Sequence, residues 1–145
     1  MAQAIRNSIS QMKGWHLESY VGIPGLVFQE NLKIPTLTTS NDILIKVEAS
    51  SVNPLDVMMS KGYGQNLLGG MRQIFGHEND KMVLGRDFSG TVIDVGMANE
   101  FKIGDKVYGA TYPSSQGCHA EYVIGMISHK KSLESIDRNF VPKIR

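Results

Sequence analysis

Four histidines and one cysteine are the side chains that a zinc site would draw on first: His16, His77, His119, His129 and Cys118. None of the histidines forms a ligand-spaced pair with another histidine or with Cys118. Cys118 and His119 are adjacent, so on a strand they point to opposite faces. His77-Glu78 begins like a zincin motif, but Lys81 stands where the second histidine should. A zinc site is therefore not expected, and a lone buried thiol and a strand histidine describe Cys118 and His119. The other chemistry-bearing word is Val52-Asn53-Pro54-Leu55-Asp56-Val57, continuing to Gly62-Tyr63-Gly64. Read locally it is a short helix with its punctuation written out. Asn53 serves as N-cap, Pro54 takes the first helical position and Asp56 sits at the positive helix end. Gly62 gives the left-handed exit. On this reading Asn53 and Asp56 are capping residues.

The elements that must position this word are mostly strands. Leu84 to Tyr108 holds Gly85, Gly90, Gly96 and Gly104 among β-branched residues, a pattern of strands, bends and close backbone approaches. Thr91, Ile93 and Val95 are expected on one face, Val92 and Asp94 on the other. Ile43 to Ala49 is a strand with Ile43, Ile45, Val47 and Ala49 facing inward. Trp15–Tyr20 and Leu26–Gln29 are short strands around Pro24-Gly25, with Trp15 a core residue. Residues from Cys118 to Ile124 form another strand. Gln65 to Lys81 reads as an irregular surface excursion.

The chain has 145 residues, 41% hydrophobic and 20% charged, with net charge +1. That is one soluble globular domain without the basic excess of a nucleic-acid binder. No apolar run approaches the ~20 residues of a membrane span. One cysteine forms no internal disulfide, which fits a reducing compartment. The expected fold is mainly β: a partly open β-barrel with one or two short helices. Residues 1–13 read as an N-terminal extension with Arg6 and Lys13 and no acid, either a frayed end or a short presequence-like segment. Residues 14–136 are the domain and 137–145 a divergent tail.

The order of glycines in Leu84-Gly85-Arg86-Asp87, through Gly90 and Gly96 to Phe101-Lys102-Ile103-Gly104-Asp105-Lys106-Val107, resembles the medium-chain dehydrogenase/reductase superfamily. The resemblance is to its GroES-like catalytic half. Ser51-Val52-Asn53-Pro54-Leu55-Asp56-Val57, Gly62-Tyr63-Gly64 and Ser128-His129-Lys130 match as well. Zinc-dependent members carry Cys where Asn53 stands and Gly-His-Glu where Gly85-Arg86-Asp87 stands, so the likeness is to zinc-free quinone and enone reductases. It implies hydride transfer from NADPH or NADH to a small quinone or enone. Without a metal, donors must hold the substrate oxygen, and the resemblance offers Asn53 and Tyr63 for this. It places Asp56 and Arg86 near substrate or cofactor, Asp56 ordering the loop and Arg86 in an ion pair, a charge near the site or a structural role. It also implies a mitochondrial setting (a cytoplasmic one being the alternative) and membrane contact only through the parent protein.

One part of that superfamily's pattern is missing. No Gly-x-Gly-x-x-Gly follows a strand, and Leu67 stands where a third glycine after Gly62 and Gly64 would. The expectation is a substrate-side half without its Rossmann domain, inactive alone. The alternative is a non-catalytic interaction module of the chaperonin-lid type, pairing through an exposed sheet edge.

Overall fold

The computed structural model describes residues 10–74, 81–97, 100–126 and 133–135. Its strands are β1 (Gln11–Leu17), β2 (Leu26–Lys33), β3 (Asp42–Ser50), β4 (Met82–Val83), β5 (Asp87–Val95), β6 (Lys106–Ala110), β7 (Tyr122–Met126) and β8 (Leu133–Ser135). Helix α1 spans Pro54–Ser60 and α2 spans Gln65–Ile74, with one 3-10 turn at Ile23–Gly25. The strands form two antiparallel sheets, ordered β2-β1-β4 and β7-β3-β5-β6-β8. A bridge between Gly14 and Ala120 links them. The fold is mainly β with two helices, as the composition suggested, and its sheets are open rather than closed into a barrel. The expected presequence-like residues before Ser10, the His77-Glu78 and Ser128-His129-Lys130 words and the 137–145 tail lie outside the described residues.

β3 is the spine because both of its faces are covered. Ile43 and Ile45 pack with Phe88, Val92, Val107, Cys118 and Val123 on one side. Leu44 packs with Met12, Leu32, Val83 and Tyr122 on the other, in the core that joins the two sheets. The simple alternation expected for β3 therefore holds at Ile43 and Ile45, but Leu44 is buried too and Ala49 is exposed.

Two bulges alter the faces. Leu44 pairs with Asp94 but Ile45 pairs with Val92, so Ile93 is the extra residue on β5. An extra residue reverses the alternation beyond it. Val92 and Val95 consequently pack on the same core while Ile93 packs on the other, correcting the grouping of Ile93 with Val95. At Gly90 a Cβ would lie 2.2 Å from the Lys46 carbonyl oxygen, so this crossing of β3 and β5 requires glycine.

Two further expectations change. β1 begins at Gln11 and buries Met12, Gly14 and His16, which turns Trp15 outward; the residue is 46% exposed and its indole tilts against Phe28, ring centroids 5.4 Å apart. Trp15 is thus not a core residue. Residues Gln65–Ile74, expected to be irregular, are a ten-residue helix. Gly69 and Gly70 each weaken a helix by about 1 kcal/mol and hid it from a reading by propensity.

Candidate functional site

The site is the place where β3 hands over to α1. Asn53 is extended, with φ −122° and ψ 171°, and Pro54 follows at the first helical position. The Asn53 side-chain oxygen accepts from the Leu55 N–H at 3.0 Å. The Asp56 carboxylate accepts from the Asn53 N–H, also at 3.0 Å, closing a capping box. This is the helix start that the Asn53-Pro54-Leu55-Asp56 order predicts.

Asp56 does more than cap. It is 3% exposed, and its second oxygen accepts from the Gly85 N–H at 3.0 Å. One carboxylate thus ties the helix start to the turn that enters β5. That turn needs glycine twice over: Gly85 has φ +93°, and a Cβ there would lie 2.4 Å from the His119 ring.

The same turn delivers Asp87 to Asn53. The Asn53 Nδ2 donates to Asp87 Oδ2 at 2.9 Å, and Ser51 Oγ donates to the same oxygen at 3.0 Å. The His119 Nε2–H donates to the Ser51 carbonyl at 3.0 Å. Asn53 is half-buried, whereas Ser51 and Asp87 are exposed, so the group opens to the surface. A carboxamide has two N–H bonds. One is engaged by Asp87, and the second takes part in none of these contacts.

Behind this face lie Arg86 and Cys118. Arg86 is 3% exposed and donates to the carbonyls of Val83 at 3.2 Å, Ser115 at 3.4 Å and Tyr112. Its guanidinium fastens the 112–115 loop, and burial pushes its pKa below the usual arginine range. The Cys118 thiol, 1% exposed, donates to the Asp87 carbonyl at 3.2 Å and meets Ser50 Oγ at 3.3 Å. Burial pushes this thiol up, away from the thiolate form that a nucleophile needs.

Tyr63 stands at the other end of α1, flanked by Gly62 and Gly64 in left-handed conformations and 62% exposed. Seven helical residues span about 10 Å. The structure therefore brings Asn53 and Asp56 together with the Gly85–Asp87 turn, turns the Arg86 side chain to the loop behind, and leaves Tyr63 a helix length away. Asp87, Ser51 and His119 are the neighbours that sequence reasoning missed. Asp87 lies 34 residues from Asn53, and its only signal was its place in the Gly85-Arg86-Asp87 word.

Among the described residues no group of three or more His, Cys, Asp or Glu lies where it could hold a metal ion. Nor do they offer a dinucleotide's pyrophosphate its usual seat, a strand leading through glycines into a helix. Gly62 and Gly64 precede α2 but follow another helix, α1. A separate cavity of about 400 Å³ lies between Leu17, Tyr20, Leu68, Arg72 and Met82, and none of the site residues lines it.

Comparison with known proteins gives consistent matches. Residues 39–132 match the alcohol dehydrogenase GroES-like domain. The chain is 38% identical over 118 residues to the mitochondrial NAD(P)H oxidoreductase RTN4IP1 of Drosophila melanogaster, covering 80% of this chain and 29% of that protein. Against the human protein of the same name it is 36% identical over 143 residues, covering 92% and 36%. The chain thus spans about a third of the length of these relatives. Among solved structures, the quinone oxidoreductase from Coxiella burnetii superposes with a TM-score of 0.71 at 30% identity, over 88% of this chain and 37% of that one. An alcohol dehydrogenase from Sinorhizobium meliloti, described as putative, shares the fold with a TM-score of 0.73 at 17% identity, over 96% and 44%.

Proposed function

The chain belongs to the alcohol dehydrogenase GroES-like domain family, and on that premise we propose that it is the substrate-side lobe of a zinc-free NAD(P)H-dependent reductase of quinones or enones. The observation that carries this reading is the Asn53 carboxamide. It is held at both ends, by Leu55 and by Asp87, at an open surface, and its second N–H takes part in no contact among the described residues. A fixed donor stabilises negative charge developing on a carbonyl oxygen better than water does, because it need not reorient during the reaction. Asn53 takes that role where the zinc-dependent members carry a metal ligand. Tyr63, a helix length away, supplies a second point of contact suited to an extended substrate rather than to the same oxygen.

Asp56 sets the position of Asn53 and of the Gly85 turn together. Arg86 acts behind the site by holding the 112–115 loop. The residues described do not fit the nicotinamide dinucleotide, so the reductant, NADPH in this reading, is carried by a second, Rossmann-type lobe. Relatives named as mitochondrial place the working protein in that compartment.

The test is a pair of proteins. The purified 145-residue chain is expected to show no NADPH-dependent reduction of duroquinone. A chimera in which it replaces the matched part of the Drosophila relative is expected to reduce it. Turnover by the chain alone would refute the division of labour, and a folded chimera without turnover would refute the reductase reading.

A further inference from the structure

We infer that Asp87, assisted by Ser51, is the positioning residue that aims the Asn53 carboxamide, acting through Asn53 and not on the substrate itself. The inference deepens the reading above and rests on it for the identity of the ligand. The orientation of an asparagine amide is fixed only by its partners. Here the partners leave one solution. The Leu55 N–H requires an oxygen and the Asp87 carboxylate requires a nitrogen, so the amide cannot flip without losing both bonds.

The bond to a carboxylate is also stronger than one to a neutral acceptor. Asp87 is itself tethered. Ser51 Oγ donates to the same oxygen at 3.0 Å, the Cys118 thiol donates to the Asp87 carbonyl at 3.2 Å, and Asp56 holds the Gly85 N–H two residues upstream. Its own charge faces two donors and is turned to a supporting task. Without Asp87, the cap to Leu55 would hold the Asn53 oxygen but no other contact among the described residues would hold the nitrogen, and the second N–H would lose its direction. A reacting group needs its donors placed to within a fraction of an ångström, which is what such supporting bonds achieve.

The test uses the ¹⁵N-labelled 145-residue chain, with duroquinone as probe. In the unsubstituted protein the two Asn53 side-chain protons are expected to be widely split, the one on Asp87 downfield, and the other is expected to move on adding duroquinone. Asp87→Ala is expected to collapse the splitting and weaken duroquinone binding about tenfold, as loss of one oriented hydrogen bond would. Asp87→Asn keeps an acceptor for Asn53 and is expected to restore most of the affinity, which a merely structural role would not require. An unchanged Asn53 splitting in Asp87→Ala overturns the inference. So does unchanged affinity in that variant, although the substrate-side reading would then stand. A collapsed splitting with no quinone response at Asn53, in the 145-residue chain and in the chimera that supplies the second lobe, upholds the positioning and overturns the substrate-side reading instead.

Discussion

The Asn53 carboxamide is bonded at its oxygen by the first turn of α1 and at its nitrogen by Asp87, and the two bonds are separable by substitution. Serine caps a helix about as well as asparagine but lacks the amide. Asn53→Ser should therefore leave stability within about 0.5 kcal/mol of the original, whereas Asn53→Ala should lose about 1 kcal/mol. Urea unfolding of the two variants checks this. Gly85 allows a sharper prediction at the same scale. Its φ of +93° strains any side chain, and a Cβ would meet His119 at 2.4 Å. Gly85→Ala should cost about 2 kcal/mol or more, read as a fall in the urea midpoint.

Among the elements, β3 owes its start to a buried carboxylate. Asp42 is 2% exposed and accepts from the N–H and hydroxyl groups of both Thr38 and Thr39, at 2.6 to 3.0 Å. Burial alone would push its pKa up, but the hydrogen bonds from Thr39 and Thr38 together outweigh that and hold it below its ordinary 3.8. The folded value lies under the unfolded one, so this carboxylate favours the fold above its unfolded pKa, and the contribution disappears as pH falls through the folded value. Asp42→Asn should lower stability at neutral pH and flatten the loss of stability below pH 3.8, measured by urea unfolding across that range.

The same elements show what was legible in the sequence. Asn53, Pro54, Asp56 and Gly62 act within one helix, so their spacing disclosed α1 and both of its ends. Trp15 and Ile93 were misplaced because a strand's facing depends on where β1 begins and on a bulge set by its partner strand. Propensity counted Gly69 and Gly70 against α2, which nevertheless packs its Arg72 inward. The Asn53–Asp87 contact was beyond reach for a further reason: it joins positions that only the pairing of β3 with β5 brings side by side.

At the scale of the molecule, the site is a surface and not a pocket. Asn53 is half-buried, Ser51 and Asp87 are exposed, Val52 between Ser51 and Asn53 in sequence is 73% exposed, and Tyr63 at the far end of α1 is 62% exposed. A donor stabilises developing charge far better once water is excluded. In the proposed reading, this open face is completed when a second lobe closes over it. The measurement that tests this most directly is kcat for duroquinone reduction by the chimera with and without Asn53→Ser. Loss of one such donor is worth roughly a hundredfold, so the variant is expected to fall by about that factor with its melting temperature unchanged. A kcat within about twofold of the unsubstituted chimera, a change too small for any lost hydrogen bond in the transition state, would contradict the role assigned to Asn53.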